Sequence, residues 1–424
     1  MTFDPPIIAA RQNRAAQVFG NNPPLILIGA GYPISKPGGH DQTYPFLPHP
    51  EYYWLTGSRR WGGVVMFDPT NGWTHFVRPV TDTEKLWEGT SEEVEGIDVA
   101  ELSSHLKKYA RQPLVVLGSP IPDITGDATL VEPYRECLNS ARRIKDEAEM
   151  ALVNRAVKAT AAGHKRAREI MRSGISEREI QIELEAEMFR HGAHGMGYGS
   201  IVGIGTNAAI LHFEPGARTA KPNDLVLIDA GGEYHGYTAD VTRTYPIGNR
   251  FTPEQQAIYD IVLAALKKGT AMCHVGIEWH DIHRAAAHVM ALGLRDLGIL
   301  KGDVDNLLDA GAMALFFPHG IGHMVGLMVR DVGGRAPNCT GDERYCGVRV
   351  RVDLPLEDHF LMTVEPGLYF VPALLDDPEN RQKFHQAVNW TSLEKWRSIG
   401  GVRIEDNVLI TGGEPHIITE SIPK

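Results

Sequence analysis

LVLIDAGGEYHGYTADVTRTYP, at positions 225–246, is the stretch from which the rest of the sequence is interpreted. Two strand-like apolar runs, Leu225–Ile228 and Tyr237–Tyr245, lie towards its two ends. Asp229 closes the first run, and Asp240 lies inside the second. Each run therefore carries one carboxylate in a context that otherwise predicts burial.

The glycine-bearing segment Gly231–Gly236 predicts that the two runs pair as a β-hairpin, with its turn centred between Tyr234 and His235. That register would set Asp229 directly opposite Asp240, with the two Cβ atoms about 5 Å apart on one face. Like charges at this distance repel, so a fold that keeps both needs a counter-charge, and a pair of divalent cations would supply it. Two unrelated surface aspartates beside a turn are the plainer alternative, because aspartate is common there.

Composition limits the classes of protein that this chain can represent. Its 424 residues predict two or three domains, and 43% hydrophobic with 22% charged residues is typical of a globular protein. A net charge of −11 argues against a nucleic-acid partner. Neither a long apolar run nor a signal-peptide pattern is present, so we expect a cytoplasmic protein with no membrane partner. The cysteines do not predict a disulfide framework and are interpreted as free thiols, with a Cys339–Cys346 pair across a loop as the alternative: Cys137, Cys273, Cys339 and Cys346.

The order of predicted elements indicates two domains. Strands that alternate with helices predict an α/β domain over residues 1–145, in which Tyr52–Leu55 is interpreted as a strand. The segment Cys137–Lys145 is interpreted as the linker. Helices interleaved with strands then predict an α+β domain over residues 146–424, where one helix begins at Thr252-Pro253 with proline in its first turn.

Four acidic residues share one context, because each lies at the end of an apolar β-rich run or just inside it: Asp229, Asp240, Glu365 and Glu405. Carboxylates on strands that are predicted to be buried are costly unless they are paired or bind metal. Asp406 adjoins Glu405 but alternates to the other face, so it is expected to be exposed. Buried salt bridges and a magnesium–phosphate site are the alternatives, and no glycine-rich phosphate loop favours the second.

Charge and ligand type favour two metal ions over these alternatives. Four carboxylates carry a charge of about −4, which two divalent cations would balance. His319 and His323 lie in the glycine-rich segment FPHGIGH, which is unlike the HExxH helix of zinc proteases. A mostly oxygen shell with one imidazole suits Mn(II), with Co(II) or Zn(II) as alternatives. The residues alone therefore favour metal-assisted hydrolysis.

Four segments together resemble one known family: LIDAGGEYHGYTADVTRTYP, FPHGIGHMVGL, TVEPGLYF and GVRIEDNVLIT. They are similar to the prolidase and aminopeptidase P family, whose catalytic domain has the creatinase-like pita-bread fold. The resemblance covers residues 146–424 strongly and residues 1–145 more weakly. It implies a pita-bread catalytic domain of the α+β class, preceded by a smaller α/β domain of the prolidase type.

The resemblance also implies a set of metal ligands. Asp229, Asp240, His323, Glu365 and Glu405 match the family's ligands to two metal ions, and Asp240 and Glu405 match those that bridge both. Glu365 would in addition handle the proton of the nucleophilic water.

Further residues match positions that contact the substrate in the family. His212 and His319 would donate hydrogen bonds to the substrate or to the tetrahedral intermediate. Tyr198 matches an active-site tyrosine of prolidase. Arg351 matches the arginine that binds the C-terminal carboxylate of the substrate, and Arg349 is the alternative for this role.

One position departs from the family pattern. Relatives usually have a histidine seven residues after the metal-binding histidine, whereas here the segment MVRDVG carries Arg330 in that position. An arginine does not exchange a proton at neutral pH, but it can stabilise an oxyanion or a carboxylate. We therefore expect metal binding to persist and substrate selectivity to shift, with Arg330 among the substrate contacts.

The resemblance implies a homodimeric Xaa-Pro dipeptidase, in which a hydroxide held by two metals attacks the carbonyl before proline. Aminopeptidase P, which acts on longer peptides, is the alternative within the same class. A carboxylate-binding arginine would favour the dipeptidase, and an open groove would favour the aminopeptidase. A non-catalytic binding protein on the same scaffold is the third interpretation, prompted by Arg330.

Overall fold

A computed structural model describes residues 2–39, 41–90, 94–248, 250–336 and 339–424. The chain forms two compact units, of which the first ends at Arg142 and the second begins at Arg143. The boundary predicted from the sequence lies after Lys145. Within the described ranges, no helix combines the length and the apolar character that crossing a membrane requires.

The first unit is built on one five-stranded sheet with the order β4-β3-β2-β1-β5. Strand β5 runs parallel to β1, whereas β2 is antiparallel to both of its neighbours. The strands are β1 (Leu25–Gly29), β2 (Val64–Asp68), β3 (Gly72–Val77), β4 (Ile97–Asp98) and β5 (Leu114–Gly118). The helices are α1 (Pro5–Phe19), α2 (Pro50–Thr56), α3 (Asp82–Glu88), α4 (Leu102–Leu106) and α5 (Ala128–Arg143).

The segment Tyr52–Leu55 is helical, so its prediction as a strand is wrong. Pro50 lies in the first turn of α2, and the side chain of His49 accepts a hydrogen bond from the backbone N–H of Glu51. Every residue from Glu51 to Thr56 is buried, so the helix has no polar face. A short helix that is apolar all round lacks the 3.6-residue periodicity by which helices are recognised, and it therefore resembles a buried strand.

The predicted linker Cys137–Lys145 is also largely helical, because α5 continues to Arg143. Its basic residues are buried at fixed contacts, although their composition is typical of an exposed linker. The guanidinium of Arg143 donates to the carbonyl of Gly333 at 2.9 and 2.7 Å. Lys145 forms an ion pair with Asp331 at 2.8 Å.

The second unit interleaves helices with short antiparallel strands. Its helices are α6 (Glu147–Ile170), α7 (Glu177–Arg190), α8 (Pro253–Ala271), α9 (Trp279–Asp296), α10 (Val304–Asp309), α11 (Pro372–Leu375), α12 (Pro378–Lys383) and α13 (Trp390–Leu393). Its strands are β6 (Gly195–Met196), β7 (Ile201–Ile204), β8 (Leu225–Asp229), β9 (Gly232–Tyr234), β10 (Tyr237–Thr238), β11 (Thr242–Pro246), β12 (Gly334–Arg335), β13 (Val352–Asp353), β14 (Leu361–Val364), β15 (Gly367–Tyr369), β16 (Gly401–Arg403), β17 (Asp406–Leu409) and β18 (His416–Ile417).

Two β ladders, each covered by a pair of helices, organise this unit. The first ladder has the order β11-β8-β7, and helices α6 and α7 pack on it and on the adjoining β9 and β10. The second ladder consists of β14 paired with β17 and β15 paired with β16, and helices α8 and α9 cover it. Thr252 caps α8 with a reciprocal hydrogen bond to Gln255, as its serine/threonine–proline start predicts. Each ladder thus has its own apolar core.

The strands β8 and β11 pair as predicted, but their register differs by two residues. Asp229 lies opposite Thr242 rather than opposite Asp240. Because side chains alternate with a period of two, the shift leaves Asp240 on the same face as Asp229, as a diagonal neighbour. The predicted register is therefore wrong, whereas the predicted proximity of the two carboxylates does not depend on it.

The cause of the shift lies in the turn. Tyr234 pairs with Tyr237, so the turn is centred between His235 and Gly236, one residue later than predicted. These two central residues have φ values of +52° and +85°. A two-residue type I′ turn requires positive φ at both central positions, which glycine supplies without steric cost. Gly236 therefore fixes the centre of the turn.

Candidate metal centre and active-site cavity

The first ladder carries two carboxylates at one end. Asp229 is the last residue of β8, and Asp240 lies two residues before β11. The hydroxyl of Tyr198 lies 2.6 Å from an oxygen of each aspartate. One hydroxyl proton can be donated to only one carboxylate at a time. The two aspartate oxygens therefore share the hydroxyl of Tyr198 as a donor. Burial, and then the charge of Asp229, raises the pKa of Tyr198 well above its usual value.

The second ladder brings together the other two carboxylates. Val364 pairs with Asp406, and Gly367 pairs with Arg403, so the same register sets Glu365 opposite Glu405. Both glutamates lie between paired segments, where neither belongs to a strand. Each acid therefore interrupts a β ladder, which leaves its side chain free to turn towards a common centre.

Hydrogen bonds between the two ladders hold the acids close together. The side-chain amide of Asn407 donates to the carbonyl of Asp240 at 2.6 Å and accepts from its backbone N–H at 3.0 Å. The hydroxyl of Thr242 donates to Oε2 of Glu405 at 2.8 Å. As a result, carboxylate oxygens of Asp229, Asp240 and Glu405 all lie within 4.8 Å of one another.

His323 completes this cluster with a nitrogen ligand. Its Nε2 lies 3.4 Å from Oδ2 of Asp240 and 3.8 Å from Oε1 of Glu365. Its Nδ1 lies 2.9 Å from the carbonyl of Met324, which can only accept, so the proton resides on Nδ1. Nε2 is therefore the ring nitrogen that would bind a metal ion beside the carboxylates, in the tautomer that metal-binding histidines adopt.

The charge of the cluster matches divalent cations. Burial raises the pKa of Asp229 and Glu405, and it raises the pKa of Glu365 to about 7. Repulsion among the carboxylates adds to this effect, although the nearby guanidinium of Arg403 opposes it. Further positive charge would relieve the repulsion. Carboxylate oxygens with one imidazole nitrogen suit Mn(II), Co(II) or Zn(II), so the residues present fit two divalent ions without selecting among them.

Arg403 is a buried cation of this centre and is absent from the site residues predicted from the sequence. Only 3% of the residue is exposed, and its Nη2 donates to Oδ2 of Asp229 at 2.6 Å. It also donates to the hydroxyl of Tyr369 at 2.8 Å and to that of Thr242 at 2.9 Å. A signal was present, because Arg403 lies two residues before Glu405 in an apolar run, where side-chain alternation gives both the same face.

The hydrogen bonds continue from Arg403 through Tyr369 to His319. The hydroxyl of Tyr369 lies 2.9 Å from Nε2 of His319, whose Nδ1 lies 2.9 Å from the carbonyl of Gly320. Burial, and then the charge of Arg403, lowers the pKa of His319 to about 3, so the ring is neutral. The proton then lies on Nδ1, and Tyr369 donates to Nε2. Both ring nitrogens of His319 thus have partners within the protein.

A cavity of about 850 Å³ opens above the carboxylates. The metal-ligand candidates line it, as do the substrate-side residues predicted from the sequence: Tyr198, His212, His319, Arg330 and Arg351. His212, Arg330 and Arg351 are exposed. Arg349, the alternative carboxylate binder, is not among the lining residues and instead pairs with Asp342 at 2.7 Å. Of the two arginines considered for this role, Arg351 is therefore the one that lies at the cavity.

Asp406 is buried rather than exposed, which corrects the prediction from strand alternation. It does point away from Glu405, but the face on which it lies is covered. Arg243 and Lys424 each lie 2.8 Å from its carboxylate. Arg243 also donates to the carbonyl of Ile422, so the C-terminal segment covers this side of the second ladder.

Two family models match the chain. The model described as metallopeptidase family M24 matches residues 151–412, and the model of the aminopeptidase P N-terminal domain matches residues 8–105. The first match covers the whole carboxylate cluster and its cavity.

Relatives and solved structures agree with these matches. A protein of Botryotinia fuckeliana named probable Xaa-Pro aminopeptidase pepP is 35% identical over 387 residues, which are 88% of this chain and 84% of that protein. Pseudomonas aeruginosa aminopeptidase PepP gives a TM-score of 0.81 at 28% identity, covering 100% of this chain and 97% of the other. A zinc-substituted Escherichia coli aminopeptidase P in complex with product gives 0.78 at 28% identity, covering 98% and 96%. With its pita-bread catalytic unit and preceding α/β unit, this chain belongs to metallopeptidase family M24.

Proposed function

We propose that this protein is an aminopeptidase P, which removes the N-terminal residue from peptides with proline in second position. The observation that carries the proposal is the size of the cavity, about 850 Å³. This lies in the upper part of the range of about 300–1,000 Å³ found for drug-sized ligands, which are larger than a dipeptide. The names of the relatives support the same activity and favour it over the dipeptidase that the sequence analysis preferred.

The ligand set for this activity would be the one inferred from the sequence. Asp229, Asp240, His323, Glu365 and Glu405 would hold two divalent ions, with Asp240 and Glu405 shared between them. Such ions, when bound, polarise a carbonyl and lower the pKa of a bound water.

The side chains around this centre would position the peptide and move its protons. Glu365 would accept the proton that the attacking water loses and return it to the nitrogen of proline. Partial burial, and then the charge of Arg330, lowers the pKa of His212, so its ring is neutral at pH 7 and can donate a hydrogen bond. His319 can donate only if it exchanges one of its present partners, because both of its ring nitrogens are occupied.

Hydrolysis of matched peptides with added Mn(II) tests this proposal. We expect Ala-Pro-Ala to be cleaved after alanine with kcat/KM at least about tenfold above that for Ala-Pro. Cleavage of Ala-Pro alone would overturn the proposal in favour of the dipeptidase. If neither peptide is cleaved while metal is bound, the non-catalytic binding protein becomes the better interpretation.

A dipeptidase is the second candidate, because Arg351 lines the cavity. A guanidinium in that position can form a bidentate contact with the free carboxylate of Xaa-Pro. The same pair of peptides distinguishes the two candidates, since only a dipeptidase requires the carboxylate directly on proline.

Three finer features stay predictions of the sequence. They are Mn(II) in preference to Zn(II) or Co(II), assembly as a homodimer, and a cytoplasmic location. Elemental analysis of protein purified without added metal tests the first, and sedimentation equilibrium tests the second. Zinc as the bound metal, or a monomer at micromolar concentration, would contradict them.

A further inference from the structure

Two arginines that line the cavity have no anionic partner among the residues that the structure describes. Arg330 and Arg351 are both exposed there, and within the described ranges neither has a carboxylate within 4.0 Å. Arginine side chains usually pair when a carboxylate is within reach. Their lack of a partner at the wall of a ligand cavity therefore needs an explanation.

The carboxylate nearest to Arg330 in the sequence is already engaged in the interior. Asp331 pairs with Lys145 at 2.8 Å, and these side chains are 1% and 0% exposed. Its two oxygens also accept backbone N–H groups of Leu327 at 3.1 Å and Val332 at 2.8 Å. Asp331 thus anchors the loop from inside and leaves the charge of Arg330 unbalanced on the cavity side.

The loop that carries Arg330 is held in place on both sides. The backbone N–H of Met328 donates to the carbonyl of Gly236 at 2.8 Å, and that of Asp331 donates to the carbonyl of Met324 at 3.1 Å. A guanidinium on an anchored loop loses less freedom on binding than one on a mobile loop. The backbone that carries Arg330 is accordingly fixed before any ligand arrives.

The charges of the two arginines act on one another. Partial burial, and then the charge of Arg330, lowers the pKa of Arg351. The acids that oppose this effect are Glu365 and Asp240, which belong to the candidate metal-ligand set. Divalent ions would neutralise those acids, so the positive charge at the arginines would then stand alone. With those ions bound, this part of the cavity would be positive in a chain whose net charge is −11.

The free amino group of a peptide is positive, so it cannot be the part that meets this charge. In a peptide whose first residue is uncharged, the negative groups lie in the segment after proline. We propose that Arg330 and Arg351 form an anion-binding pair for a carboxylate on the segment after proline, and that Arg330 sets this preference. The inference rests on the proposed aminopeptidase activity and deepens it by naming the substrate class. The carboxylate can be an aspartate or glutamate side chain or the C-terminus of a short peptide.

Three peptides of one length separate these sources. Ala-Pro-Asn-NH2 is the neutral reference, Ala-Pro-Asp-NH2 adds a side-chain carboxylate, and Ala-Pro-Asn adds a terminal one. We expect the wild-type protein to cleave at least one charged peptide with kcat/KM about three- to tenfold above the reference. The preference should decrease as salt is added, because exposed charges are screened.

Substitutions at Arg330 then assign the preference to its charge. Arg330→Gln should bring the ratio of kcat/KM for the charged and the neutral peptides to about one. Arg330→Lys should retain part of the preference, and Arg330→His at pH 8 should lose it, since a histidine is then neutral. Arg349→Gln is the matched control, because Arg349 is exposed, pairs with Asp342 and does not line the cavity.

The outcomes are distinct. Equal cleavage of all three peptides by the wild-type protein would overturn this inference and leave the aminopeptidase activity standing. A preference that survives Arg330→Gln would also overturn it. If no peptide is cleaved, the proposed function itself fails, and the inference fails with it. Because Arg330 is exposed, an unchanged melting temperature is expected for its variants and separates binding effects from unfolding.

Discussion

The floor of the cavity, formed by Asp229, Asp240 and Glu405, is charged and buried, whereas its mouth, formed by His212, Arg330 and Arg351, is charged and exposed. The three acids of the floor are 9%, 5% and 1% exposed, and each has a hydrogen-bond partner in the protein. Within the described ranges, the two arginines of the mouth have no ion-pair partner. A buried charge constrains the fold around it, but an exposed charge does not. Substitutions in the floor should therefore perturb this protein more than substitutions at the mouth.

The largest loss of activity is expected when a carboxylate charge is removed from the floor. Asp240→Asn keeps the size of the side chain but removes the carboxylate that lies 2.6 Å from the hydroxyl of Tyr198 and 3.4 Å from Nε2 of His323. We expect kcat/KM to fall by at least about a thousandfold. We also expect the metal content to fall below one ion for each of the two metal positions. Asp260→Asn, on the exposed face of α8, is the matched control and should change neither quantity. Wild-type metal content together with substantial activity in Asp240→Asn would remove Asp240 from the ligand set.

Arg403, the buried cation beside the floor, should contribute to the stability of the protein as well as to its activity. Arg403→Met leaves Oδ2 of Asp229 without its donor at 2.6 Å in a buried site. Removing one partner of a buried ion pair costs about 3–5 kcal/mol of unfolding free energy. Urea denaturation in the presence of a chelator measures this, and Arg349→Met, on the surface, should stay within about 0.5 kcal/mol of wild type. Equal stability of the two variants would mean that Asp229 does not depend on Arg403.

Loss of the hydrogen bonds that connect Arg403 to His319 through Tyr369 should have a smaller effect on activity. Tyr369→Phe removes only the hydroxyl that accepts from Arg403 at 2.8 Å and lies 2.9 Å from Nε2 of His319. The loss of these hydrogen bonds should lower kcat/KM by roughly tenfold, which corresponds to about 1.4 kcal/mol. Tyr245→Phe is the control, since its hydroxyl donates to Pro423 outside the cavity. That variant should lose stability but keep kcat/KM, and an equal loss of activity in both would make the role of Tyr369 merely structural.

The acids of the floor could be identified from the sequence because burial leaves a local trace. Asp229 and Glu365 each end or follow an apolar run, and such a run with a carboxylate is unusual unless something compensates the charge. The register that joins Asp229 to its neighbour could not be derived as reliably. It depends on whether Gly236 or Tyr234 joins His235 with a positive φ at the centre of the turn, and a shift of one residue in a turn moves every pair by two.

Contacts between distant segments left no such trace. Arg243 and Asp406 are 163 positions apart, so nothing near Asp406 in the sequence indicates that its face is covered. Arg403 reaches Asp229 across 174 positions. The helix α2 was missed for a different reason, since Tyr52–Leu55 is buried on every side and has no periodicity to recognise. The sequence thus predicts which residues need compensation better than it predicts what provides it.

The smallest expected effect is a change in the titration of His212 at the mouth. Partial burial is the main cause that lowers its pKa, and the positive charge of Arg330 adds to it by disfavouring the imidazolium form. Arg330→Gln should therefore raise the pKa of His212 towards its ordinary value, and the acid limb of kcat/KM should move to higher pH if that ring must be neutral. Nuclear magnetic resonance of the His212 ring protons across pH measures the shift directly. Arg349→Gln, which changes the net charge equally but away from the cavity, should leave it in place. If both variants give the wild-type pKa, solvent already screens the charge of Arg330 from its neighbours, and the mouth would be a set of independent side chains rather than one positive surface.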